Sequence, residues 1–210
     1  MAFCNRKVGT RYALKIPTAG RVHVAEVYRS LHAALDETFG TLPGEPTHWF
    51  DAADKIDRVW PWVHFNRAVL KQRNIPYEAA CDYAAQWLGN RPYMEAAFSR
   101  RQVEGGNFPP GSLGEKVRLA YHPERSGDVI GIPKPGVLVT VYEHGTAHGT
   151  PHPYDTHVPV LVYGAGVPAL GKRGGRVSSL VVAPTLAWAL GIDPPSAAAA
   201  KVPAEIVQGK

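Results

Sequence analysis

From Val24 to Phe39 the apolar residues Val24, Val27, Leu31, Leu35 and Phe39 recur at three- and four-residue intervals, the spacing of one helix face. Gly40 follows where a helix commonly turns into the left-handed region and ends. Residues 1–20 show no period and read as a loop, and Thr41 to Pro46 reads as a Pro/Gly turn. Val59 to Phe65 is aromatic and β-branched, as a strand requires, with Pro61 assigning it to an edge or a bulge. Arg67 to Arg73 predicts a short helix, and Pro76 sits at a first helical position for a longer one over Tyr77 to Leu88. Met94 to Phe98 is strand-like, and Leu113 to Tyr121 is helical. The last third changes character. Asp128 to Ile132 and Val137 to Tyr142 predict strands, and Val158 to Tyr163 is a continuous apolar run, the pattern of a strand buried on both faces. Leu180 to Leu190 is an apolar helix with Pro184 in its first turn and Gly191 at its end. Strands alternating with helices define an α/β or mixed architecture.

The length, 210 residues, suits one domain or one domain with an insert. The net charge of +5 raises an anionic partner. The basic residues are scattered, however, and the densest pairs are Arg100-Arg101 and Lys172-Arg173. A solvated basic surface accounts for them, and no nucleic-acid partner is expected. The two cysteines, Cys4 and Cys81, make no disulfide framework. Cys81 lies in a helical stretch, where a buried free thiol is the expectation. No apolar run is long enough to span a bilayer, so no membrane partner is expected. The residues from Met1 to Lys7 lack the apolar core of a signal peptide.

Chemistry concentrates between Glu143 and His157, which reads Glu-His-Gly-Thr-Ala-His-Gly-Thr-Pro-His-Pro-Tyr-Asp-Thr-His. Four of the nine histidines fall here: His144, His148, His152 and His157. Imidazole is the commonest side-chain metal ligand. The first three share a four-residue spacing, but Gly145, Gly149, Pro151 and Pro153 break a helix. The segment is therefore a loop between two strands, a place where ligands are often held by a rigid sheet. Spacing alone does not say which histidine binds. A zinc site also needs about three or four ligands, so others must come from elsewhere.

The run from Gly145 to Gly164 closely resembles a C-terminal signature of the alkaline phosphatase superfamily. The resemblance is to the phosphate-irrepressible alkaline phosphatases and the type I phosphodiesterase/nucleotide pyrophosphatases, whose pattern is Gly-Thr-x-His-Gly-(Ser/Thr)-Pro-x-x-Tyr-Asp-Thr-His-Val-Pro. Ser112 to Arg118, Tyr121 to Val129, Ala183 to Ala187 and Leu190 to Ile192 resemble further family segments, so the likeness covers residues 20–195.

The resemblance implies an alkaline-phosphatase-like mixed sheet flanked by helices, incomplete, with an α+β insert. Residues 1–210 would form one incomplete domain: a helix-rich insert over about 22–132, then the metal-site loop, buried strand and closing helix over about 133–195, and a peripheral tail over 196–210. It implies two zinc ions about 4 Å apart acting on a phosphate ester substrate. The first histidine of the motif ligates one zinc, and that residue is His148. Gly149 would let the backbone pass close to the site. Asp155 and His157 match family positions and are read as supporting residues that hold ligands in place. His144 and His152 fall at variable positions and are expected at solvent or at a substrate edge.

The family's nucleophilic threonine, aspartate ligands and substrate-binding residues have no counterpart here, and no Asp-His-Gly occurs, including in the window from Asn5 to Thr18. The expectation is a C-terminal portion, inactive by itself, that self-associates through exposed sheet edges. Relatives are usually exported, and this chain shows no export signal. Where the family has an aspartate before its closing helix this chain has Val181, so Ser178 or Ser179 is expected to cap it. Gly166 to Arg173 nearly matches a P-loop but ends in Arg173 instead of Ser or Thr. Two rival readings are a non-catalytic remnant that binds a partner or an anion, and a stand-alone histidine-loop metal-binding protein.

Overall fold

A computed structural model describes residues 19–41, 48–51, 60–164, 167, 169 and 171–207. Cys4, the window from Asn5 to Thr18, all but the first residue of the Thr41–Pro46 turn, Val59, Gly166, Pro168 and Leu170 of the Gly166–Arg173 stretch, and the last three residues lie outside the described residues.

The chain divides into two compact units, Met1–His157 and Val158–Lys210. In the first, strand β1 (Gly20–His23) runs directly into helix α1 (Val24–Phe39), and the His23 ring accepts a hydrogen bond from the Ala25 amide at its start. Val24, Val27, Tyr28, Leu31 and Leu35 are buried, which is the face the spacing defines. Gly40 ends the helix at φ +80°. The short strand β2 (Trp62–Val63) and helices α2 (Arg67–Gln72) and α3 (Tyr77–Gly89) follow. Pro76 caps α3 from just outside it and is not its first helical residue.

Strand β3 (Met94–Ser99) leads into helix α4 (Arg100–Gly105) through a reciprocal cap between Ser99 and Gln102. Helix α5 (Leu113–Ala120) precedes β4 (Val129–Pro133) and β5 (Val137–Thr140). Strands β1 and β5 form a parallel pair, while β2, β4 and β3 form an antiparallel sheet in that order. This edge position of β2 agrees with the place expected of Pro61. All five residues of the central strand β4 are buried. Asp128, at the entrance to β4 and 6% exposed, ties neighbouring elements together. Its carboxylate accepts from the Phe65 amide at 2.7 Å, Arg67 Nη2 at 2.8 Å and the Tyr77 hydroxyl at 2.7 Å. Cys81 is a buried free thiol, as expected.

In the second unit, Ser178 accepts from the Leu180 amide and caps a 3-10 turn (Ser179–Val181) that continues into α7 (Val182–Leu190). Ser178 thus performs the capping expected of Ser178 or Ser179. Gly191 ends α7 in the left-handed region. A short helix α8 (Ala204–Val207) lies in the tail.

One expectation is overturned. Val158 to Tyr163 forms no strand, and it is exposed: Leu161 by 89% and Tyr163 by 103% of their reference areas. A strand buried on both faces needs ladder partners and covering layers. Among the described residues none pairs with this run, because β1 pairs with β5 and β4 with β2 and β3.

Candidate functional site

The histidine-rich segment is a loop, as the glycines and prolines require. It runs from the end of β5 to a single helical turn, α6 (Pro153–Thr156). Gly145 and Gly149 take φ values of +92° and +103°, which residues with a Cβ rarely adopt. Open space surrounds the position a Cβ would occupy at Gly149. This glycine therefore serves the turn of the backbone, and among the described residues nothing presses close against it.

Long-range contacts hold the loop along its length. The Arg21 guanidinium, from β1, donates to the carbonyls of Tyr142 at 2.6 Å and Gly145 at 2.8 Å. Lys116, from α5, donates to the Pro151 carbonyl at 2.7 Å. Asp155 Oδ2 accepts from both the amide and the hydroxyl of Thr150, at 2.9 and 2.6 Å. Partial burial pushes the Asp155 carboxyl upward, but the hydrogen bonds it accepts, those from Thr150 among them, hold it below its ordinary value. Asp155 therefore acts on the backbone of the His148-Gly149-Thr150 turn. His144, His148 and His157 are exposed.

His152 is placed differently from its expectation. It is 4% exposed, and its Nε2 lies 2.7 Å from the Pro133 carbonyl. It is not at a solvent or substrate edge, because the turn into α6 carries its ring beneath the loop and against β4. The anchors Arg21 and Lys116 have no signal in the spacing, since Arg21 reaches a carbonyl 121 residues away. Tyr154, whose hydroxyl accepts from the Gly136 amide, lies within the Gly145–Gly164 run.

Arg21, Val24, Ile132, Val139, His144 and His148 help to line a cavity of about 530 Å³ under the loop. Apolar side chains such as Val24, Ile132 and Val139 and the polar residues Arg21, His144 and His148 share this lining. Among the described residues no group of three or more His, Cys, Asp or Glu side chains is placed to hold a metal ion. One exposed imidazole fits as a single ligand out of the three or four a zinc ion takes. A complete site requires donors beyond these. Among the described residues no helix is long and apolar enough to cross a membrane.

The mixed fold and the loop define a partial alkaline-phosphatase-like domain: this chain belongs to the alkaline phosphatase superfamily, as a C-terminal part of it. No protein-family model matches the chain. Among curated proteins it is 28% identical over 202 residues to alkaline phosphatase PafA of Elizabethkingia meningoseptica, covering 95% of this chain and 34% of the relative. It is 34% identical over 148 residues to alkaline phosphatase PhoV of Synechococcus elongatus, covering 68% of this chain and 26% of the relative. The crystal structure of wild-type PafA superposes with a TM-score of 0.72 at 26% identity, over 89% of this chain and 34% of that one. The chain thus spans between about a quarter and a third of the length of the curated relatives it matches.

Proposed function

We propose that this chain is the C-terminal portion of a zinc-dependent phosphoric ester hydrolase and that His148 is its contribution to the metal site. The observation that carries the reading is the placement of His148. It is an exposed residue on an anchored loop, it helps to line a cavity, and it lies within the run that resembles the superfamily's metal-ligand signature. The relatives' printed name, alkaline phosphatase, supplies the substrate class by analogy.

When bound, zinc supplies Lewis acidity toward a phosphoryl oxygen. The residues of this chain have simpler tasks. His148 presents a ring nitrogen, Asp155 and Thr150 hold the turn that aims it, and Arg21 fixes the loop's first half. His157 is assigned a supporting role beside Asp155, and His144 the exposed margin of the site. Residues 1–210 are assigned to one domain of the whole enzyme, completed by the remaining two-thirds.

The test joins this chain to the remaining two-thirds of a relative such as PafA in a single polypeptide. Zinc content is measured together with hydrolysis of p-nitrophenyl phosphate and bis(p-nitrophenyl) phosphate, which separates monoesterase from phosphodiesterase chemistry. The expected result is hydrolysis and bound zinc in the joined protein, both falling by at least about a hundredfold in H148A, and negligible hydrolysis by the 210-residue chain alone. Unchanged zinc content and rate in H148A would overturn the assignment.

A further inference from the structure

Resting on the reading of His148 as a metal ligand, we propose that His152 is a positioning residue: its imidazole pins the His148 loop to the central strand of the antiparallel sheet. His152 is the one buried histidine among the described residues. Its ring faces the Pro133 carbonyl at 2.7 Å. A carbonyl has no proton to give, so Nε2 carries the hydrogen and donates it. That nitrogen is thereby committed to the sheet and is closed to a metal.

The anchor point is stiff. Pro133 ends β4, a strand buried at every residue and flanked by β2 and β3. The His152 ring packs at 5.6 Å on Tyr154, whose hydroxyl accepts from the Gly136 amide at 3.3 Å. The two side chains together grip both sides of the turn that joins β4 to β5. The object held is soft by itself. From Gly145 to His152 the chain has no regular structure and contains two glycines at positive φ, so it loses much conformational freedom when fixed.

His152 also connects to His148 through the loop's own bonds. Its carbonyl accepts from the amides of Asp155 and Thr156, which begins α6. Asp155 then returns to Thr150, two residues from His148. A continuous path runs from β4 through His152, α6, Asp155 and Thr150 to the motif. Residues that orient a ligand's carrier in this way act on metal affinity without touching the metal. Simple filling of space predicts something else, since a phenyl ring would fill the same pocket and keep the packing on Tyr154.

The experiment uses the full chain, isotopically labelled, without metal. Imidazole nitrogen NMR of the wild type is expected to show His152 protonated at Nε2 with a slowly exchanging proton. In H152F the Thr150 amide, which bonds to Asp155, should exchange about tenfold faster, the equivalent of one buried hydrogen bond. Amides of α3 should be unchanged. In H152Q the side-chain amide can donate to the same carbonyl, and protection at Thr150 should return. A wild-type ring protonated only at Nδ1, equal Thr150 exchange in H152F and wild type, or failure of H152Q to restore protection would each overturn the proposal. The wild-type tautomer decides the matter even where H152F does not fold. None of these readouts involves zinc or turnover, so loss of the His148 assignment would leave this result standing, and the reverse.

Discussion

The two halves of the histidine motif's surroundings carry similar apolar sequence and meet opposite fates. Up to His157, the side chains of Leu31, Leu35, Trp49 and Phe65 are fully enclosed, and an irregular loop is tied down by contacts from β1, β4 and α5. From Val158 onward, Val158, Leu161 and Tyr163, and Leu180, Leu186 and Leu190 beyond them, stand exposed. Hydrophobicity is common to both regions, so it does not explain the difference. Partners do. A helix satisfies its own backbone and needs one face covered, whereas a strand buried on both faces needs ladder partners as well as covering layers. The first region contains its own partners. The second has the apolar pattern of a central strand, and among the described residues no strand pairs with it.

The comparison breaks most readily at Asp128. Replacing it with Ala strands the Phe65 amide, the Tyr77 hydroxyl and one side of Arg67. Arg67 is half exposed, which moderates the loss of the ion pair. We expect about 3 kcal/mol of destabilisation, read by urea unfolding. A second readout comes from Cys81, whose thiol is pushed up to about 12, chiefly by burial and with the neighbouring Asp128 charge among the smaller contributions. It should react slowly with a disulfide reagent in the native wild type and much faster in D128A. Wild-type stability in D128A would show that the first region does not depend on this anchor.

Gly149→Ala comes next. With φ at +103° the added Cβ is strained although space is open around it, and about 1–2 kcal/mol is expected. The cost should appear locally, as faster amide exchange at Thr150, with little change in α1. Asp155→Ala should cost about 1 kcal/mol through its two bonds from Thr150. Because the folded carboxyl sits below its ordinary value, its contribution is present above the unfolded carboxyl's value of about 3.9 and is lost as pH falls through the lower, folded value. Thr150 protection in the wild type should therefore fall in acid, and in D155A it should already be low at neutral pH. Protection in D155A equal to wild type would remove Asp155 from the loop's support.

The legible parts of the molecule are those set by local rules. The α1 face, the stop at Gly40, the Ser178 cap and the loop character of the histidine segment all follow from spacing, propensity or turn chemistry. Helix α4 is marked in the sequence too, since Ser99 and Gln102 form the Ser-x-x-Gln capping signature at its start. The burial of His152 leaves no local signal, because burial of a loop side chain depends on what lies beneath it, here the end of β4 nineteen residues earlier. Arg21 and Lys116 act through backbone carbonyls far along the chain, and a carbonyl leaves no mark in the sequence. The exposed Val158–Tyr163 run has the continuous apolar pattern of a buried strand, but a pattern specifies what a segment can bury and not whether the covering elements are present.

That last point gives the prediction with the smallest effect on folding. Leu161 and Tyr163 contribute little buried area in this chain, so Leu161→Lys with Tyr163→Lys should change unfolding free energy by less than about 0.5 kcal/mol. Association is another matter. An exposed apolar run with unpaired backbone is a template for pairing with a second copy, and two added lysines oppose this by charge repulsion and by removing apolar area. Light scattering should find the wild-type chain self-associating as concentration rises, and the double variant less so at equal stability. In the joined protein of the function test the same double change should instead be strongly destabilising, because there the run is expected to be enclosed. A double variant that is neutral in both settings would mean the run is a surface segment in the joined protein too, and the contrast between the two regions would then be a property of the segment itself.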